Sequence, residues 1–324
     1  MLDFSSAFNT VQPFLIVQRM TKLEVPAQLC LWICDFLKNR EQFVKVGSQL
    51  SEKAIINVGS PQGCVLSPLL FIIYTNELGG DGLGLRNTTL LKFADDTAIV
   101  GLIENDDESE YRNSIVETTK WCRDNYLYLN ENKSKEMIFD FNKQRYSRHQ
   151  PITLNGKVIE IVEEAKHLGV LIDKQLNFEK HINDVQKKVN KRMFIMKKIY
   201  QLKLNRNITS LAFQAFVQPL IFYCCSLTCS AINKKLLHKL MSSVRLAEKR
   251  LWIDKGKTEH IMDKMMLKKV LKILKNSRHP LNKKFRYLPS GKRFDFPFCR
   301  TTRFKRTFVP EAIARLNQSD CIPF

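Results

Sequence analysis

Acidic side chains almost vanish from the second half of this 324-residue chain. Residues 174–324 hold 9 Asp and Glu against 34 Lys and Arg, a net of +25, whereas residues 1–173 hold 23 against 18, a net of −5. So lopsided a split is more than solvated helix faces require. It suits a surface that tracks a phosphate backbone, with binding that weakens steeply in salt. Paired cysteines are missing too. Cys30, Cys34, Cys64, Cys122, Cys224, Cys225, Cys229, Cys299 and Cys321 form no paired C-x-x-C arrangement, so no zinc site is supported. Their odd number and scatter suit reduced thiols. No signal-peptide pattern opens the chain. An intracellular location is expected, nucleus or cytoplasm, and no import signal stands out from the general lysine content. Asn207–Asn233 lacks charge altogether, which raises the question of a membrane span. Gln214, Gln218, Pro219 and several Ser and Thr interrupt it. A buried helix broken near Pro219 is expected, with no membrane partner.

What is present centres on Leu90–Val100, where Asp95 and Asp96 sit between two short apolar runs. Such a pattern suits a hairpin with two acids at its tip. Alone, Asp-Asp reads first as an ordinary turn; a third acid would make it a place to hold a hard divalent cation. Asp3 is available, flanked by Leu2 and Phe4 as at the end of a short strand. Between them lies Gly59–Phe71, with two glycines and two prolines. There Ser67-Pro68 reads as a helix start, Ser at the cap and Pro at the first helical position.

In this order, these pieces resemble the polymerase palm of reverse transcriptases, and most closely those of non-LTR (LINE-like) retrotransposons. Leu2–Phe8 resembles motif A, Gly59–Phe71 motif B with its Pro-Gln-Gly core, and Phe93–Asp96 the Phe/Tyr-x-Asp-Asp of motif C. Leu129–Lys135 resembles motif D and His167–Asp173 motif E, the primer grip. Residues 300–313 are similar to the C-terminal tail of LINE-like polyproteins. Five motifs in sequence make the resemblance specific, and it covers nearly the whole chain.

The resemblance implies an RNA-directed DNA polymerase acting on an RNA template, a DNA primer and deoxynucleoside triphosphates. Two Mg2+ ions would stabilise the attacking and leaving oxygens. Asp3 and Asp95 would bridge them, Asp96 would support the site, and the Phe4 carbonyl would be a further ligand. Phe8 would be the steric gate that excludes a 2′-hydroxyl. Gln62 and Gly63 would meet the nucleotide and template, and Lys133 would act as a general acid toward pyrophosphate. Leu168 and Gly169 would seat the primer terminus. Without the motifs, Phe8 reads as a core aromatic and Lys133 as a solvated lysine. Family members carry fingers motifs and an endonuclease ahead of motif A. With only Met1 and Leu2 before Asp3, a truncated open reading frame is expected. A relic that only binds nucleic acid is the competing reading. Oligomeric state is left open.

The expected fold class is α+β. Residues 1–173 would form a palm (antiparallel sheet with helices) and part of the fingers, 174–251 an α-helical thumb, and 252–324 a basic C-terminal region. Periodicity predicts helices over 25–36, 106–127 and 178–199, then near 208–225, 233–251 and 259–275. Strands are expected at 42–46 and 136–141, and Asn155-Gly156 signals a hairpin.

Overall fold

Two prolines start the first two helices. Pro13 supplies a preset φ at the head of α1 (Pro13–Lys22), and Pro26 caps α2 (Ala27–Leu37). Ile16, Met20, Cys30, Ile33 and Leu37 turn inward from them. The computed structural model describes residues 1–79, 87–141, 149–251 and 256–318. The chain divides into two units, Met1–Leu168 and Gly169–Phe324.

In the first unit, β1 (Arg40–Gln42) pairs antiparallel with β4 (Ala54–Ile56), and β2 (Lys45–Val46) with β3 (Gln49–Leu50). The expected strand at 42–46 is thus two short pieces of an exposed ribbon. Helix α3 (Leu66–Tyr74) follows. It begins before Ser67, whose hydroxyl does not cap it but bonds Ser60 Oγ at 2.7 Å and the Pro61 carbonyl. Pro68 falls within the first turn, where a missing N–H costs nothing.

Next come β5 (Thr88–Phe93) and β6 (Asp96–Gly101), paired in one antiparallel hairpin. Helix α4 (Ser109–Asp124) buries Ile115, Thr118 and Cys122. Tyr126, expected on this helix, lies beyond its end at φ 57° and is exposed. Only Lys135–Glu136 (β7) forms a strand of the expected 136–141 run; residues 137–141 have no ladder. Asn155 and Gly156, at φ 48° and 81°, turn β8 (Thr153–Leu154) into β9 (Lys157–Val158). Both central residues lie in the left-handed region that such a turn demands. β10 (Glu160–Ile161) then pairs parallel with β7. The core of this unit gathers α1, α2, α3 and α4 around Phe71, Tyr74, Leu127 and Leu154. Strands β11 (Glu164–His167) and β12 (Val170–Asp173) stand either side of the division.

The second unit is helical: α5 (Glu179–Gln201), α6 (Arg206–Phe216), α7 (Gln218–Phe222), α8 (Cys225–Ala231), α9 (Lys234–Arg250), α10 (Lys257–Lys275), α11 (Thr302–Lys305) and α12 (Phe308–Gln318). Phe178, Ile182, Val185, Val189 and Met196 make the buried stripe of α5. Asn205 and Asn233 cap α6 and α9 with their side chains. The uncharged stretch breaks twice, at Val217 and around Cys224, whose φ is 52°. Phe213, Val217 and Ile221 from it enter the core. Among the described residues no single helix is long and apolar enough to cross a membrane; α6–α7 with α8 passes that test only as a pair bent by 61°. Every described cysteine is a free thiol, and Cys321 lies outside the described residues.

Candidate active site

The first five residues run extended between two neighbours. On one edge the Leu2 N–H donates to the Thr97 carbonyl at 2.8 Å. On the other, Ser5 N–H donates to Tyr128 O at 2.7 Å, Asn130 N–H to Asp3 O at 2.8 Å and Lys135 N–H to Met1 O at 2.9 Å. Asp3 N–H finds Ser134 Oγ at 3.2 Å. The motif A-like segment is thereby clamped between β6 and the motif D-like loop. The antiparallel bridge Leu2–Thr97 sets the next pair along as Asp3 and Asp96. Two carboxylates 93 positions apart in the sequence thus meet by register. By the alternation of an extended chain, the Phe4 N–H and C=O face the edge that holds the hairpin.

The hairpin itself pairs Phe93 with Asp96 across a two-residue loop of Ala94 and Asp95. Ala94 takes the left-handed φ of 52°. Asp95 therefore occupies the tip, and Asp96 is the first residue of the returning strand. Both are exposed. Lys92 ties the hairpin to α3, with Nζ bonded to the carbonyls of Thr75 and Leu78 just past that helix. A cation at those carbonyls suits the negative end of a helix.

Asp3 is partly enclosed. Its Oδ2 is buried and accepts no hydrogen bond. Lys133 Nζ stands 3.9 Å from that oxygen, on a side chain 70 % exposed. A buried, unbonded carboxylate oxygen is costly and calls for a cation. Lys133 supplies one at the limit of an ion pair. Against this, no three His, Cys, Asp or Glu side chains among the described residues converge closely enough to hold a metal ion. The backbone brings Asp3 and Asp96 into adjoining positions; the side chains of Asp3, Asp95 and Asp96 are not drawn together.

Phe8 is the middle residue of a short 3-10 turn, Ala7–Asn9, and its half-buried ring packs at 5.1 Å from Phe71 of α3. The motif B-like loop docks on this turn. Ser60 N–H donates to Phe8 O and Gly59 N–H to Val11 O, each at 2.7 Å. A Cβ on Gly59 would meet the Asn9 backbone at 2.9 Å, so the contact requires glycine. Gln62 Nε2 reaches Asn9 Oδ1 at 3.4 Å. Gly63, at φ 79°, faces open space, with nothing within 4 Å of a Cβ built there. Phe8, Gln62 and Gly63 thus gather at one turn, next to the clamped Asp3 segment. Leu168 (φ 46°) and Gly169 (φ 81°) both have left-handed backbones, and a Cβ on Gly169 would lie 3.5 Å from the Tyr223 ring.

Two residues that order this site escaped sequence reasoning. Ser134, inside the motif D-like stretch, holds the Asp3 backbone. Lys92 anchors the hairpin, and its signal was a lone cation inside an apolar strand pattern. A third, Arg19, is 4 % exposed in the core stripe of α1. Its guanidinium lies over the Tyr74 and Trp121 rings, 4.8 and 5.2 Å from their centroids. A charge on a buried helix face was the clue there.

A clamped acidic segment thus lies beside an Asp-Asp hairpin, with a glycine-bearing loop entering a helix. Residues 1–172 match the family described as reverse transcriptase (RNA-dependent DNA polymerase), and the chain belongs to it. It is LINE-like in kind. It is 25 % identical over 269 residues to a probable RNA-directed DNA polymerase from transposon X-element of Drosophila melanogaster, across 80 % of this chain and 29 % of that protein. It is 28 % identical over 238 residues to the RNA-directed DNA polymerase from mobile element jockey of Drosophila funebris, across 68 % and 25 %. The chain spans about a quarter of the length of the curated relatives it matches.

Proposed function

We propose that this chain carries the catalytic centre of an RNA-directed DNA polymerase that extends a DNA primer on an RNA template from deoxynucleoside triphosphates. The supporting observation is the register that sets Asp3 beside Asp96, with an unbonded, buried Asp3 oxygen facing Lys133. The family uses divalent metal ions, and hard carboxylate and phosphate oxygens suit Mg2+. Asp3 and Asp95 would hold two such ions with the Phe4 carbonyl, and Asp96 would support them. Bound there, the ions supply charge to the attacking and leaving oxygens of the displacement.

The remaining steps belong to the protein's own groups. The primer 3′-oxygen forms a bond to the α-phosphorus and the bond to pyrophosphate breaks. Lys133, 3.9 Å from Asp3, would neutralise and protonate that leaving group. Phe8, braced on Phe71, presents an aromatic ring under the sugar and disfavours a 2′-hydroxyl. Gln62 and the open face at Gly63 receive nucleotide and template, and Leu168 and Gly169 seat the primer terminus. In this reading residues 1–173 are palm and partial fingers, 174–251 thumb and 252–324 a basic C-terminal region. The working site is the nucleus or cytoplasm.

The test is Mg2+-dependent extension of a DNA primer on an RNA template, abolished by Asp95→Ala. Protein that binds primer–template without ever extending it overturns the polymerase reading for this chain and leaves a nucleic-acid-binding relic.

A further inference from the structure

The carboxylates of the first unit share a row across its hairpin. Phe93 pairs with Asp96, and the register of Leu2 on Thr97 sets Asp3 beside Asp96, so Phe93, Asp96 and Asp3 lie side by side. One register step behind, at about 3.3 Å, runs a second row of Lys92, Thr97 and Leu2. Successive rows point to opposite faces of a sheet. The carboxylate row therefore leaves one face and Lys92 leaves the other. Thr97 and Leu2 are buried, which fixes the inner end of the second row. Its outer end falls on β5, which among the described residues pairs with β6 alone.

That outer end is held by the chain leaving α3. Lys92 Nζ donates to the carbonyls of Thr75 and Leu78, the latter at 2.7 Å. Both residues are buried, so their carbonyls are fixed points. Leu90, two residues back on the same face of β5, packs on Gly79, where an added Cβ would stand 2.6 Å from its Cδ2. Phe93, Asp95 and Asp96, beyond Lys92, are exposed. An ammonium suits this place in two ways: it donates more than one bond, and its charge meets the negative end of a helix. It also carries a cost there. Loss of water around Nζ and the nearby Arg19 both pull its pKa down. An apolar side chain would escape that cost and would lose the hold on the two carbonyls.

We propose that Lys92 is a positioning residue for nucleotide addition, fixing the carboxylate row from behind so that Asp95 and Asp96 stand where they can share a cation with Asp3. The inference rests on the polymerase reading of those carboxylates. Lys92 itself leaves the opposite face and acts only through them.

The test compares Lys92→Met, which keeps length and loses charge and bonds, with Lys92→Arg, which keeps all three, in the full chain. In single-turnover extension Lys92→Met lowers the rate about 100-fold, the scale of a misplacement of about 1 Å, and leaves the half-saturating nucleotide concentration within about twofold. It also weakens the binding of Tb3+, a hard cation read by its luminescence, about tenfold. Asp95→Asn gives the baseline for Tb3+ held elsewhere on the chain. Lys92→Arg restores both readouts. A natively folded Lys92→Met protein with wild-type rate and Tb3+ affinity overturns the inference, and so does a loss that Lys92→Arg leaves uncorrected. Should Lys92→Met not fold, amine labelling of the wild-type protein decides: protection of Lys92 relative to Lys133 supports the inference, and equal reactivity overturns it. Wild-type protein that binds Tb3+ through Asp95 but extends no primer loses the polymerase reading, and the Tb3+ comparison then decides this one alone. Neither extension nor Asp95-dependent binding overturns both.

Discussion

The two units handle charge in opposite ways. In Met1–Leu168, the charges that matter are few, and each is held by neighbours. Asp3 is clamped by backbone on both edges, Lys92 is bound to two carbonyls and Arg19 is sandwiched between rings. In Gly169–Phe324, many cations stand exposed on helix faces. A reacting centre needs a handful of groups at set positions. A polyanion-binding surface needs summed charge and tolerates each group being loose. Substitution should therefore act through position in the first unit and through number in the second.

The largest contrast lies in activity. Asp95→Ala is expected to lower primer extension by about 10³-fold or more, the scale on which removing one charge-stabilising group acts. A single loss such as Lys268→Ala should leave extension within about threefold, since one exposed cation among many carries a small share. Single-turnover extension under matched salt compares the two. Similar losses from both would erase the distinction between placed and summed charge.

Stability gives the next contrast. Arg19 is buried, and burial pulls its pKa down while Glu77, 3.6 Å away, and the Tyr74 ring work the other way. Arg19→Ala removes the ring contacts and the bond to Asn125. It is expected to cost about 3 kcal/mol in urea unfolding. Lys268→Ala should stay within about 0.5 kcal/mol.

Glycines refine the comparison within the first unit. Gly59 has both a φ of 75° and the Asn9 backbone 2.9 Å from a Cβ, whereas Gly63 has the φ alone. Gly63→Ala should cost about 1–2 kcal/mol from the left-handed backbone. Gly59→Ala should cost more and also shift the loop off Asn9, lowering extension even in protein that remains folded. Equal costs would show that the Asn9 contact is soft.

How much of this was legible depended on the range of the interaction. Asn155-Gly156 declared its turn because two adjacent residues suffice to set it. The hairpin at Asp95 was legible for the same reason, although its loop is Ala94–Asp95 and not the acid pair. Ser67-Pro68 misled, because the Ser67 hydroxyl is taken by Ser60 and Pro61, partners that a cap rule does not see. The run 136–141 misled because strand propensity cannot show that the ladder takes in only Lys135–Glu136. The clamp on Asp3 joins residues more than a hundred positions apart, beyond the reach of any local pattern.

The smallest effect is a pH dependence in the first unit. His149 Nδ1 lies 2.6 Å from Glu108 Oε1, and Nε2 lies 3.0 Å from Glu136 Oε2, with the imidazole nearly buried. Burial opposes its charge, but hydrogen bonds and ion pairs to the two glutamates outweigh that and raise its pKa above the usual 6.5. Arg112 and Tyr111 face the same carboxylates, Arg112 at 2.6 Å from Glu108 and the Tyr111 hydroxyl at 3.1 Å from Glu136. A raised folded-state pKa stabilises the fold fully below pH 6.5, and that stabilisation fades as pH rises through the folded value. His149→Gln should therefore lower the melting temperature by roughly 3 °C at pH 5.5. Above the folded-state pKa the deficit should shrink. The second unit has no equivalent pair of carboxylates around a histidine among its described residues, since burial lowers the pKa of its buried His181. A deficit that does not change between pH 5.5 and 8.5 would mean that His149 acts by packing and not by its proton.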